Sequence, residues 1–261
     1  MRCCESLTNN HVASNCLASN YSIATGDPEV FICSEHQWLL PLYDQIMPTG
    51  YDQIMPTGRT GYLLDAGCGV GVHCLIAQRR GFYAVGIDYS MVALRKAKNL
   101  LLENGYPSRL VLADLLDPPL RVRPGAFHLV QCLGNTLLML RSRRDATHTI
   151  RRLLALTATD GFLLIGLRTS DLELRMSESS SRNDGSSRIQ SRRSRLCSCG
   201  EYFIVEYSLG DETCGRSKSI QFRLLAVSSA WLDREVSKEG GRLVSSATTP
   251  GGFDYRLYSA N

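Results

Sequence analysis

Long apolar runs are missing from this 261-residue chain, and none is uninterrupted enough to cross a bilayer as a helix. The start, Met-Arg-Cys-Cys-Glu-Ser, has no apolar leader core, so no secretory signal is expected. Aromatic residues are sparse at 8%, and the formal charge is only +4, much of it in one Ser/Arg-rich stretch. That balance gives no basis for a nucleic-acid surface, and no membrane partner is expected either. The ten cysteines are scattered, several inside strand-like runs. Without a leader they read as free thiols in a reducing, cytoplasmic compartment. Cys197, Cys199 and Cys214 do not have the spacing of a common zinc module, so no metal is expected.

What the chain does have is 44% hydrophobic residues, enough to bury a core in one elaborated domain. Its organising stretch is Leu63-Leu64-Asp65-Ala66-Gly67-Cys68-Gly69-Val70-Gly71. Apolar residues run into an acid and then into alternating glycines, as where a buried strand breaks into a tight turn before a helix. Glycine there allows positive φ and lets backbone approach a ligand, while the helix aims its unpaired N–H groups at the same spot.

Residues 1–34 are polar and without period, and are expected to be flexible; the domain is expected to fill 35–261. A short helix is predicted at 35–43. Tyr43-Asp44-Gln45-Ile46-Met47-Pro48-Thr49-Gly50 is then repeated identically as residues 51–58, a local tandem duplication too short for a solenoid. Its Pro-Thr-Gly ends are turn signals, so the second copy is read as lengthening a surface connection.

Helices are predicted at 70–80, closed by Gly81, at 90–103 with Ser90 as N-cap, at 143–156 and at 230–239. Near-continuous apolar strands are predicted at 63–66, 84–88, 109–114, 127–134 and 161–167. This alternation marks an α/β domain with a doubly wound parallel sheet covered on both faces. Right-handed crossovers bring the C-terminal strand ends to one edge, where Asp65, Asp88, Asp114 and Asn135 gather. Residues 177–195 are low in complexity and read as a disordered Ser/Arg-rich insert. Beyond it, 201–209 and 219–227 read as antiparallel strands, and 242–248 with 254–259 as a closing hairpin.

A glycine turn with an acid ending the second strand points to a nucleoside cofactor, the carboxylate accepting from both ribose hydroxyls. Dinucleotide binding is disfavoured, because that fingerprint needs its third glycine one position later, where Val72 stands. Asp114 adds a third acid, suited to an adenine amino group.

In register over residues 60–168, these motifs resemble those of class I methyltransferases that use S-adenosyl-L-methionine. The resemblance implies a Rossmann-like, mostly parallel seven-stranded sheet with a C-terminal antiparallel hairpin and a small antiparallel insertion. It implies that Asp65, Ala66, Gly67, Gly69 and Gly71 lie along the methionine part of the cofactor. Asp88 would hold the ribose, Asp114 and Leu115 would border the adenine, and Tyr89 and Leu133 would complete the cofactor set.

Phe127-His128-Leu129-Val130-Gln131-Cys132-Leu133-Gly134-Asn135-Thr136 is similar to the fourth-strand segment of glycine and sarcosine N-methyltransferases. In that family an arginine just after the fifth strand binds the substrate carboxylate, and Arg168 matches it. Asn135 and Arg168 are therefore the expected substrate-binding pair, for a small amine or amino acid. His128 departs from the family's Asp, and Thr169 and Ser170 from its Asn and Tyr. Tyr43, Tyr202 and Tyr207 are further candidates for the acceptor pocket, although tyrosines in strands more often serve packing. No catalytic base is expected, because the sulfonium already activates the methyl group. The alternatives are methylation of another small molecule at oxygen or carbon, and a cofactor-binding module without catalysis. The sequence sets no oligomeric state.

Overall fold

The computed structural model describes residues 39, 41–43, 61–117, 123–169, 189–210, 217–249 and 253–260, with backbone alone at 189–193, 207–210 and 217–220. Expectations for residues 1–34, for most of the first predicted helix and for the duplication lie outside the described residues.

The strands β1 (Tyr62–Ala66), β2 (Tyr83–Asp88), β3 (Leu110–Leu112), β4 (Phe127–Cys132) and β5 (Thr157–Leu167) alternate with helices α1 (Val72–Arg79), α2 (Met91–Glu103) and α3 (Arg143–Leu156). Next come β6 (Ile189–Leu196), β7 (Tyr202–Gly210), β8 (Ser217–Leu225), α4 (Ser229–Lys238), β9 (Arg242–Thr248) and β10 (Asp254–Ser259). One seven-stranded sheet runs β3-β2-β1-β4-β5-β10-β9, and a second, three-stranded sheet runs β6-β7-β8. All pairings from β3 to β5 are parallel, whereas β10 is antiparallel to both β5 and β9. The chain thus reverses strand order at β1 and β4, the switch point at which open α/β sheets bind ligands.

Side-chain alternation divides the core in two. Leu64, Ala66, Val130 and Cys132 face a cluster with Ile150 and Leu153 of α3, Leu232 and Val236 of α4, and Phe203 and Phe222 of the second sheet. Leu63, Leu129 and Leu164 face the other cluster, with Leu75 and Ile76 of α1, Leu94 and Leu101 of α2, and Leu39, Leu42 and Tyr43. Strands buried on both faces explain why β1 and β4 read as apolar runs rather than alternations.

Local signals behave as their chemistry dictates. Ser90 caps α2 by accepting from the Ala93 N–H (3.1 Å), and Ser142 and Ser228 do the same for α3 and α4. Gly81 follows α1 at φ 84°.

Three expectations need correction. The insert read as disordered at 177–195 contains β6, whose backbone pairs with β7 from Ile189 to Leu196. Ladder hydrogen bonds do not need apolar side chains, and a polar Arg/Ser edge strand discourages pairing with other chains. Residues 177–188 lie outside the described residues. The third strand is shorter than read, and β5 starts at Thr157, directly after α3. No glycine or proline separates that helix from the strand, so the sequence carries no break signal there. Among the described residues no helix is long and apolar enough to cross a membrane.

Candidate functional site

The turn after β1 gives each glycine a separate task. Gly67, Gly69 and Gly71 all have positive φ (81°, 52° and 86°), a region that residues with a Cβ rarely adopt. A Cβ on Gly67 would overlap the Thr136 side chain, and one on Gly71 would stand 2.8 Å from Ala97 Cβ on α2. A Cβ on Gly69 would meet nothing within 4 Å, nor would one on Gly134 after β4. Gly69 therefore borders open space. Gly71, whose N–H is bonded to the Cys68 carbonyl (2.9 Å), shapes the turn and packs α1 on α2.

Asp88 ends β2 and closes this turn from beside. Its Oδ2 accepts from the Gly69 N–H (2.9 Å) and its Oδ1 from the Ser90 N–H (2.8 Å). Burial pushes its carboxyl above the usual range, against the backbone N–H groups of Ser90, Gly69 and Tyr89. The carboxylate's roughly four lone-pair directions exceed its three backbone donors, so acceptor capacity remains for a ribose hydroxyl. Asp114, partly exposed after β3, accepts from the Leu116 N–H through Oδ1 (2.9 Å). Tyr89 is half-buried beside Asp88. The side chains of Ala66, Leu115 and Leu133 are buried in the core clusters, which leaves their main chain for any ligand.

Asp65 lies deeper than its neighbours. It occupies a core-facing strand position, 1% exposed, next to its register partner Gln131 on β4. Burial raises its pKa, opposed by His73 and by hydrogen bonds from Cys74 and Gln131; the Cys74 thiol donates to Oδ2 (3.2 Å). Asp65 Oδ1 and Gln131 Nε2 are buried without a well-formed hydrogen-bond partner among the described residues. Tyr43 is also buried here, its hydroxyl donating to Gln131 Oε1 (2.7 Å). Of the two readings of Tyr43, packing holds: its one polar group is spent on the central strand.

The second group of residues lies at the ends of β4 and β5. Asn135 is the one described non-glycine residue with positive φ (70°). Its Oδ1 accepts from the Arg168 backbone N–H (2.8 Å), tying the two strand ends together. The Arg168 guanidinium lies over the Phe253 ring at 4.7 Å, a cation–π contact from the β9–β10 turn. Thr136 links this group to the glycine turn: its Oγ1 donates to the Leu133 carbonyl (2.8 Å), with the Gly67 carbonyl at 3.4 Å, and its side chain fills the space Gly67 leaves. Sequence reading missed both Thr136 and Phe253. Only the glycine at 67 hinted that something must fill its missing side chain.

Other candidates fall elsewhere. His128 stands near the start of β4, at the opposite end of the strand from Asn135, and its Nδ1 accepts from the Tyr62 N–H (3.2 Å). Tyr202 spends its hydroxyl on the Arg141 carbonyl (2.7 Å), and Arg223 stacks on its ring. The Tyr207 side chain lies outside the described residues.

The residues fit a nucleoside cofactor with a polar tail. Open space faces Gly69 and Gly134, Asp88 keeps acceptor capacity beside it, and Asp65 is buried at the base of the turn. Comparison with known proteins agrees. Residues 63–161 match a methyltransferase domain family. A glycine/sarcosine/dimethylglycine N-methyltransferase of Actinopolyspora halophila is 36% identical over 110 residues, covering 42% of this chain and 19% of that protein. A glycine/sarcosine N-methyltransferase of Aphanothece halophytica is 30% identical over 112 residues, 43% of this chain and 42% of that protein. The chain thus spans less than half the length of these curated relatives.

In fold, it is similar to an S-adenosylmethionine-dependent methyltransferase of Clostridium acetobutylicum (TM-score 0.65, 9% identity, 98% of this chain and 93% of that one). It is also similar to an amino pentose methyltransferase of Micromonospora echinaspora solved with the cofactor bound (TM-score 0.62, 18% identity, 85% and 89%). With the strand order and the glycine turn, residues 63–161 match a methyltransferase domain family and lie on a fold shared with S-adenosylmethionine-dependent methyltransferases.

Proposed function

We propose that this domain methylates the nitrogen of a small amine or amino acid of the glycine or sarcosine type. The observation that carries the reading is the Asn135–Arg168 tie, which fixes the backbone from which the Arg168 guanidinium extends, next to the loop that packs on the glycine turn. A guanidinium grips a carboxylate as a bidentate fork, which suits an amino-acid acceptor. The names of the two curated relatives support the same substrate class.

S-adenosylmethionine, when bound, supplies a methyl group already activated by its sulfonium. The chain's own residues then bind, orient and exclude water. Asp88 accepts from a ribose hydroxyl, Asp114 and the Leu115 main chain border the adenine, and the turn from Asp65 to Gly69 accommodates the methionine part. Arg168 holds the acceptor carboxylate, and Asn135 keeps the strand end bearing it in place, so the amine is presented in a fixed orientation. A neutral amine needs no protein base, and none is assigned. Free buried thiols at Cys68, Cys74 and Cys132 support a reducing, cytoplasmic setting.

Methyl transfer to a panel of glycine, sarcosine, simple amines and amino sugars tests the activity. Arg168→Ala is expected to raise the KM for an amino-acid acceptor about 10- to 150-fold, the worth of a lost charged hydrogen bond, with cofactor affinity unchanged. An unchanged KM would remove the carboxylate grip. Cofactor binding without turnover across the panel would leave a binding module in place of an enzyme.

A further inference from the structure

We propose that Cys197 and Cys199, at the tip of the β6–β7 hairpin, form a reversible dithiol–disulfide site that exchanges with small-molecule disulfides. The hairpin turn is closed by the Cys197 N–H on the Tyr202 carbonyl (2.8 Å) and the Gly200 N–H on the Cys197 carbonyl (3.0 Å). Gly200 takes φ 72°, which reverses the chain within three residues. This geometry brings the two sulfurs to 2.6 Å. A disulfide bond is about 2.05 Å, so closure needs a shift of only about 0.5 Å.

Exposure divides the work between the two thiols. Cys199 is exposed and open to a soluble partner, whereas Cys197 is 6% exposed and reaches only its neighbour. Burial alone would raise the Cys197 pKa. The hydrogen bond from Cys199 and the backbone N–H groups of Tyr202, Glu201 and Cys199 outweigh it and bring the thiol down to about 7. A turn that aims several N–H groups at one sulfur is a nest for an anion, here a thiolate.

The other described cysteines behave in the opposite way. Burial and neighbouring thiols push Cys74 well above the ordinary thiol range, and burial pushes Cys132 to about 12. They are packing residues, and the hairpin pair is the reactive one.

The exchange balances as follows. The Cys197 thiolate takes the Cys199 proton as the Cys199 sulfur attacks one sulfur of the external disulfide, forming a mixed disulfide and releasing one small thiolate, which recovers that proton. The Cys197 thiolate then attacks Cys199 Sγ, forming the internal disulfide and releasing the second. The protein pair is oxidised by two electrons, the external disulfide is reduced by two, and the two protons end on the released thiols. This site is independent of the proposed methyl transfer.

The test uses the full chain equilibrated in mixtures of oxidised and reduced glutathione, quenched in acid, alkylated, and cut with trypsin and a glutamyl endopeptidase. The fragment of residues 196–201 contains both cysteines and no other. It is expected to lose the mass of two hydrogens and to escape alkylation at oxidising ratios, while Cys68, Cys74 and Cys132 stay alkylable once the chain is denatured. Cys197→Ser is expected to trap one glutathione on Cys199, and Cys199→Ser to react at least about tenfold more slowly. A fragment that stays doubly alkylated, or carries two glutathiones with no internal bond, would overturn the proposal.

Discussion

Gly71→Ala is expected to cost the domain about 2–5 kcal/mol of folding stability, and Gly69→Ala only about 1–2, although the two glycines are two residues apart. Both need a left-handed backbone, which costs a residue with a Cβ about 1–2 kcal/mol. At position 71 the new methyl also stands 2.8 Å from Ala97 Cβ and 3.1 Å from Ala97 Cα, on a helix that cannot yield without moving. Such overpacking adds about 1–3 kcal/mol. At position 69 nothing lies within 4 Å, so the fold survives and the methyl enters the volume assigned to the cofactor. Urea unfolding of both variants, and calorimetric titration of Gly69→Ala with S-adenosylmethionine, separate the two effects. Cofactor affinity at least about tenfold weaker in a folded Gly69→Ala chain is the expected result. If Gly69→Ala proved the less stable of the two, the division of labour along the turn would be wrong.

Removing the carboxylate at position 88 is expected to affect cofactor binding most. A hydrogen bond to a charged group is worth about 1.5–3 kcal/mol, so losing the ribose contact weakens binding by roughly one to two orders of magnitude. Asp88→Ala also frees the Gly69 and Ser90 N–H groups, loosening the turn that the carboxylate closes. Asp88→Asn separates the two contributions. Its amide has one oxygen, so one of those N–H groups loses its partner and stability falls by about 1–3 kcal/mol, while the side-chain volume is kept. Titration of Asp88→Asn with cofactor should fall between the natural chain and Asp88→Ala. Equal affinity in all three would place the ribose elsewhere.

The elements with local causes were readable from the sequence. The third helix runs from Arg143 to Leu156 as its period and Ser142 cap require, and the closing hairpin spans the expected residues. The gathering of the C-terminal strand ends at one edge followed from the crossover rule applied to apolar strands. What escaped were features set by a partner far along the chain. Tyr43 could be read as a packing or a pocket residue, and the partner of its hydroxyl, Gln131, lies 88 residues away. Strand β6 has no apolar pattern of its own and exists through its ladder with β7. For Asn135, the strand-end position was readable, but its side-chain oxygen bonds the main chain of Arg168, a choice that depends on the left-handed φ at Asn135.

The anchoring of Tyr43 under the sheet has a consequence for the duplicated octapeptide that follows it. Tyr43 is held at Gln131 and Tyr62 opens β1, so 17 residues separate Tyr43 from Gly61, a number that would be 9 with a single copy. Loop-closure entropy grows only with the logarithm of length, so this near-doubling costs about 0.6 kcal/mol. A small domain has about 5–15 kcal/mol of net stability, and the duplication draws on little of it. By that arithmetic, copying eight residues between two fixed ends is an almost neutral event, where the same insertion inside β1 would shift a register on which both faces of the core depend.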